Sequence, residues 1–196
     1  MDDCRILYLF GMALLCTIMG CMPPSSNSNS PLGNQGSSPE KAAYFLQLQQ
    51  ALDHLSEDPD NSNLYMQAGD VAQRLSLWVD ARKYYQKAFD LNPKSAEAIY
   101  KVGYTWEKSG QLYVVGQGMQ IMSGHRDKAI RSYQKTIDLN SNYSDAYYRL
   151  TMIALNAEDM DLAYWAGQEL SRLEPNSGRA IALVKQVYRK RQELKP

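Results

Sequence analysis

The sequence predicts an all-α solenoid of antiparallel helix pairs, preceded by an apolar leader and a polar linker. Three observations carry this reading. A pattern of small and large residues recurs at a fixed period in the second half of the chain. On either side of the recurring units, apolar residues fall at helical spacing. All three cysteines, Cys4, Cys16 and Cys21, lie in the leader and its end, so the rest of the 196 residues folds without a disulfide or a cysteine-bound zinc.

From Ile6 to Met19 the chain runs ILYLFGMALLCTIM, uncharged and with only Thr17 clearly polar. That is short for a membrane span of about 20 residues and suits the apolar region of a signal peptide. The stretch ends at Ile18-Met19-Gly20-Cys21, which resembles the lipobox of bacterial lipoprotein signal peptides, with an aliphatic residue three before the cysteine and a small one just before it. The resemblance implies that residues 1–20 are removed, that Cys21 is acylated on sulfur, and, with Met22 following, that the anchor sits in an outer membrane facing the periplasm. Met19 is bulkier than the usual occupant, and Arg5 is offset by Asp2 and Asp3. An uncleaved N-terminal helical anchor is the alternative.

Residues 21–39 carry the linker after Cys21. MPPSSNSNSPLGNQGSSP is nearly all Ser, Asn, Gly and Pro, and cannot bury enough apolar surface to fold. As a flexible coil it spans roughly 20 to 25 Å. It is expected to tether a domain close to a membrane.

Residues 40–61 hold a capping helix, in which Tyr44, Leu48, Ala51 and Leu55 share one face. The recurring units follow. Ala81, Tyr85, Ala88, Leu91 and Pro93 return 48 residues later as Ala129, Tyr133, Thr136, Leu139 and Ser141. They return after a further 34 as Ala163, Gly167, Leu170, Leu173 and Pro175. The first interval is therefore one 34-residue period plus an insertion of 14. The upstream halves agree, aligning Tyr65, Ile99 and Tyr147, then Ala68, Val102 and Leu150, then Gly69, Gly103 and Thr151.

These units resemble the tetratricopeptide repeat, a pair of antiparallel helices, and divide as 62–95, 96–143 and 144–177. Small Gly69 and Gly103 are expected to face Ala81 and Ala129 across each pair and let the helices approach closely. Pro93 and Pro175 follow the last turn of a helix and block its continuation. The resemblance implies a concave face lined by the first helix of each repeat. On it Met66, Tyr100, Tyr104, Tyr148 and Met152 make a candidate aromatic and thioether stripe for an extended peptide or a partner helix. The same tyrosines would also serve as packing between neighbouring helices. Met66, Asp70 and Asp145 stand where carboxylate-clamping members of the family carry Lys, Asn and a further cation, which argues against a C-terminal carboxylate as ligand.

The insertion, residues 111–124, carries Leu112, Tyr113, Val114, Val115, Met119, Ile121 and Met122. LYVV and MQIM flank Gly116-Gln117-Gly118, a pattern for a short hairpin. An isolated hairpin is marginal in water, so this one is expected to rest on its own repeats, on a protein partner or on lipid. Such an apolar segment, placed where these repeats usually turn in a few residues, suggests a use in function, and exchanging 112–122 for a short connector is expected to leave the helices intact.

Residues 178–196 close the array. Ile181, Val184, Val187 and Tyr188 are expected to point inward, with Arg179, Lys185, Arg189, Lys190, Arg191 and Lys195 elsewhere.

No catalytic constellation is present in the sequence: there is no phosphate loop, no metal motif and no nucleophile elbow. Two histidines, His54 and His125, are too few for a histidine-rich site and are expected to be a packing or surface residue and a loop residue respectively. With Lys plus Arg equal to Asp plus Glu at 21 each, nothing in the overall field favours nucleic acid. The expectation is a non-catalytic adaptor without cofactor, metal or small-molecule substrate. It would bind protein partners in a bacterial envelope complex and be held at the membrane through lipid on Cys21. A regulatory subunit of an envelope enzyme is the competing expectation.

Overall fold

The computed structural model describes residues 39–193; the apolar leader, Cys21, the linker to residue 38 and residues 194–196 lie outside the described residues. The described chain is eight helices and one two-stranded hairpin. Helix α1 (Pro39–Glu57) leads into three pairs: α2 (Ser62–Arg74) with α3 (Trp78–Leu91), α4 (Ala96–Ser109) with α5 (Ser123–Leu139), and α6 (Ser144–Asn156) with α7 (Met160–Leu173). Helix α8 (Gly178–Glu193) closes the array. Strands β1 (Gln111–Val114) and β2 (Gly118–Ile121) lie between α4 and α5. Each helix packs on the next in sequence, and α6 also meets α8, the neighbour-only pattern of a solenoid. The all-α solenoid predicted from the period is the architecture observed. Among the described residues no helix is long and apolar enough to cross a membrane.

Local chemistry sets the helix ends. Asn61 accepts from the Asn63 amide at 3.0 Å, Ser95 Oγ from the Ala98 amide at 3.1 Å, and Asp159 Oδ1 from the Leu162 amide at 3.1 Å, each satisfying a free N–H of a first turn. Between the helices of repeats 1 and 3 the chain reverses through a left-handed residue, Ser76 (φ 60°) and Glu158 (φ 62°), at equivalent positions. In repeat 2 the corresponding residue is Gly110, which stays right-handed (φ −94°) and leads the chain out into the hairpin.

The core is a row of small clusters along the array, each joining neighbouring helices. Ala51, Leu55 and Ala68 join α1 to α2. Ala72, Ala81, Tyr85, Ile99 and Val102 join α2, α3 and α4. Ala129, Tyr133, Ala146 and Ile153 continue it, and Tyr147, Leu150, Ala166, Leu170, Leu183 and Val184 finish it.

Three expectations need correction. Gly69 and Gly103 face tyrosine rings rather than Ala81 and Ala129: a Cβ at Gly69 would lie 2.5 Å from Tyr85 Cε1, and one at Gly103 2.9 Å from Tyr133 Cε1. The glycines make room for a phenol lying between the two helices. On α8, Ile181 and Tyr188 are exposed, because the buried seam is Ala180, Leu183, Val184 and Val187, at i, i+3, i+4 and i+7. Ile181 is one residue off that seam, about 100° around the helix. Finally, His125 is helical and its ring packs edge-on against Trp106 at 5.2 Å.

Candidate functional site

The first helices α2, α4 and α6 carry the concave positions, and the structure joins them through two polar latches built on equivalent tyrosines and cations, with the acid at different repeat positions. In the first, the Tyr85 hydroxyl of α3 donates to Asp70 Oδ1 at 2.7 Å and lies 3.1 Å from the Gln73 side chain. Lys101 of the next repeat donates to the same Asp70 oxygen at 2.6 Å. In the second, the Tyr133 hydroxyl donates to Glu107 Oε2 at 2.8 Å, and Arg149 of the next repeat donates to Glu107 Oε1 at 3.2 Å. Glu107 is only 4% exposed, and each of its carboxylate oxygens has a donor, as a buried polar group requires. Burial, together with Glu107, pushes the Tyr133 phenol well above its ordinary pKa, and burial and Asp70 push Tyr85 the same way. Both phenols are therefore permanent donors. Burial opposes the Arg149 charge, but Glu107 and the Tyr100 hydroxyl raise its pKa overall.

The third repeat has Gly167 in place of the tyrosine, and its junction to α8 is closed by Arg179, which donates to Asp145 Oδ1 and to Glu174 Oε1, each at 2.8 Å. Ser144 Oγ adds a bond to Glu174 at 2.6 Å. Hydrogen bonds from Arg179 and Ser144 hold the Glu174 carboxyl down at about 2.

The predicted stripe is distributed unevenly. Tyr100 is wedged between Tyr133 (5.6 Å) and Tyr143 (4.9 Å), so it serves packing. Tyr104 stands against Trp78 and carries the Arg149 guanidinium 4.8 Å from its ring centre and Lys108 at 5.3 Å. Tyr148 has Arg179 at 5.0 Å. Met66 and Met152 are half-buried against the flanking core clusters. The concave face is thus a row of cation-capped rings and engaged carboxylates.

The hairpin differs. Its strands pair antiparallel with Gln111 opposite Ile121, Leu112 opposite Gln120, Tyr113 opposite Met119 and Val114 opposite Gly118. The Gln117 amide donates to the Val114 carbonyl at 3.0 Å, with Gly116 (φ 81°) and Gly118 (φ 76°) supplying left-handed backbone. The base of the hairpin belongs to the repeat. Met122 N–H donates to the Gly110 carbonyl at 3.0 Å, Ile121 is half-buried against the α4–α6 cluster, and a Cβ at Gly110 would lie 2.4 Å from His125 Cβ. Exchanging 112–122 wholesale would consequently remove core contacts, and the free part ends at Gln120. Beyond the base, Val115 (89% exposed), Tyr113 (70%), Met119 and Leu112 stand in solvent, as the Met122 side chain does at the base, while Val114 is half-buried.

A hollow of about 840 Å³ separates the hairpin turn from the ends of α6 and α8. Its lining is polar and its cations are paired, Lys190 with Glu158 at 3.1 Å and Arg189 with Glu193 at 3.8 Å, so it offers little to an apolar ligand. Among the described residues no group of three or more His, Cys, Asp or Glu could hold a metal ion.

The repeat pattern pointed to Tyr85 and Tyr133 but not to their partners. The signal was present: Lys101 and Arg149 are equivalent cations one repeat apart, each following an acid on the preceding first helix.

No protein-family model matches the sequence, and no curated protein matches it significantly. Solved structures do. MamA is 24% identical with a TM-score of 0.63, over 78% of this chain and 76% of that one. YrrB, described as a TPR protein with an unusual peptide-binding site, is 17% identical with a TM-score of 0.61, over 80% of this chain and 73% of that one. The first TPR of Spaghetti (RPAP3), bound to the HSP90 peptide SRMEEVD, is 14% identical with a TM-score of 0.56, over 67% of this chain and 95% of that one. At these identities the likeness establishes the fold: the solenoid is of the tetratricopeptide type.

Proposed function

We propose that this chain is a non-catalytic, protein-binding adaptor whose principal contact is the hairpin between α4 and α5, tethered to a bacterial envelope membrane through lipid on Cys21. The observation that carries the reading is the hairpin's exposed apolar surface, Tyr113, Val115 and Met119 with Leu112 and Met122 beside them. Large apolar side chains held out on a rigid turn are a common way to anchor a partner in its pocket. The concave face plays the lesser part, because its acids and bases already bond one another. That YrrB has a peptide-binding site and the RPAP3 domain binds a peptide supports a protein ligand for the same fold. The lipobox-like Ile18-Met19-Gly20-Cys21 and the linker after it support assembly or scaffolding work at the envelope.

The test replaces residues 112–120 with a short Gly/Ser connector, keeping Ile121 and Met122, and recovers cross-linked partners from native membranes. The reading expects an unchanged melting temperature and loss of the partner. Undiminished recovery would move recognition to the concave face with Tyr104 and Tyr148. Co-purification of an enzymatic activity that survives in the partner alone would identify a regulatory subunit. Cys21→Ser, followed by intact mass, checks the anchor: an enlarged, unlipidated precursor is expected, and an unmodified Cys21 in the wild-type chain would leave the helical anchor as the better reading.

A further inference from the structure

A second groove, sharing no residue with the hairpin or the concave stripe, lies between α3 and α5 with α4 as its floor. Ile99, Val102 and Trp106 form that floor, in two adjoining hollows of about 230 and 350 Å³ that both reach Trp106. Its walls are cationic. Arg82, Lys83 and Lys87 come from α3, and Lys128, Arg131 and Lys135 from α5, where spacings of three and four put them on one helical face. The two helices carry four acids: Asp80, which pairs with Lys83 at 3.2 Å, Asp90, which accepts from Gln86 at 2.9 Å, Asp127, which pairs with Arg126 at 3.8 Å, and Asp138 near the end of α5. The ion pairs of the described residues leave Lys87, Lys128, Arg131 and Lys135 without a carboxylate.

The floor concentrates this charge. The Arg82 guanidinium lies 3.6 Å from the centre of the Trp106 ring, and Lys128 Nζ lies 4.1 Å from it. Ser109 Oγ, 3.2 Å from Arg82 Nη1, is the one polar side chain that Arg82 bonds. Burial without an acid lowers the Arg82 pKa, although a guanidinium stays charged at neutral pH. Two cations on one indole, with more cations on the walls, repel one another unless an anion comes between them. The whole chain has no net charge, so this excess is local.

We infer that the α3–α5 groove binds an acidic peptide segment of a partner protein, its carboxylates on the two cationic walls and an apolar side chain on the Trp106 floor. The recessed floor favours a peptide, since a flat lipid surface would meet the lysines without reaching Trp106. The chain's own linker is not the occupant, because residues 22–39 contain no Asp or Glu.

The probe is a fluorescein-labelled peptide rich in Asp and Glu around a central Leu-Phe, compared with the same peptide carrying Asn and Gln. Anisotropy against the full-length chain in detergent should show binding of the acidic peptide alone, weakening as salt shortens the Debye length from about 14 to about 6 Å. The triple variant Lys87→Glu, Arg131→Glu, Lys135→Glu alters exposed residues only, and should lose about tenfold or more in affinity with its melting temperature unchanged. The Gln versions of the same three changes should lose less. Replacing 112–120 should leave peptide binding intact, which separates this groove from the hairpin. Equal affinity of wild type and the charge-reversed variant would overturn the inference. So would preference for phosphatidylglycerol vesicles or an oligothymidylate over the peptide, or a self-association that the triple variant abolishes.

Discussion

Replacing Gly69 with alanine places a methyl 2.5 Å from Cε1 and 2.6 Å from Cδ1 of Tyr85. Carbon atoms in contact rest at about 3.5 to 4.0 Å, so the ring must retreat by about 1 Å. Tyr85 has nowhere easy to go: it is fully buried and its hydroxyl is fixed at 2.7 Å from Asp70 Oδ1. A retreat of that size also takes the bond beyond the useful range of about 3 Å. Overpacking costs about 1 to 3 kcal/mol, and the weakened bond adds about 0.5 to 1.5 kcal/mol. The better helix propensity of alanine returns about 1 kcal/mol. The net loss is about 1 to 3 kcal/mol, or at about 2 to 4 °C per kcal/mol a fall of roughly 2 to 12 °C in melting temperature. Gly167 is the internal control. Its added Cβ would meet Val184 and Thr151 at 3.6 and 3.7 Å, ordinary contacts, so Gly167→Ala should gain about 0.5 to 1 kcal/mol and melt higher. Gly103→Ala, with contacts of 2.9 Å, falls on the side of Gly69. The assay is circular dichroism at 222 nm against temperature. A Gly69→Ala variant as stable as Gly167→Ala would refute the reasoning that these glycines exist to seat a tyrosine.

Tyr133→Phe should cost about 1 to 3 kcal/mol in urea unfolding, because it strands one oxygen of the buried Glu107. Tyr85→Phe should cost less, since Asp70 keeps Lys101 and water; equal losses would show that burial of the acid does not matter. Glu174 has a folded pKa of about 2, below the unfolded value of about 4.3, so its contribution is present above about pH 4.3 and is lost as pH falls toward 2. Glu174→Gln should therefore flatten the acid limb of melting temperature against pH while lowering the neutral plateau, and parallel curves would contradict the assignment. Ala129→Leu, at a fully buried position, should destabilise by about 1 to 3 kcal/mol, whereas Lys83→Leu on the exposed side of α3 should move the melt little.

Much of the concave face was legible only as a list of positions. Tyr100, Tyr104 and Tyr148 fall at repeat positions that line a groove, and from the sequence alone they could pack or bind. The structure divides them: Tyr100 sits between two other rings, while Tyr104 and Tyr148 are capped by Arg149 and Arg179. That outcome depends on which residue of the next repeat reaches across. The hairpin was legible in its Gly-Gln-Gly turn and its flanking apolar runs, but its base was not, since only the packing of Ile121 and of Gly110 against His125 fixes where the repeat ends and the projection begins.

By itself the sequence determined the helices, their number and their pairing, because small and large residues recurring every 34 positions encode local periodicity and nearest-neighbour packing, both properties of short segments. The tertiary structure alone decided what the glycines face, that Glu107 is buried between a phenol and a guanidinium, and that six cations of α3 and α5 gather over one tryptophan. Those residues are separated by 26 to 46 positions in several instances, as Tyr133 is from Glu107 and Lys128 from Arg82, and such distances close only when neighbouring repeats stack.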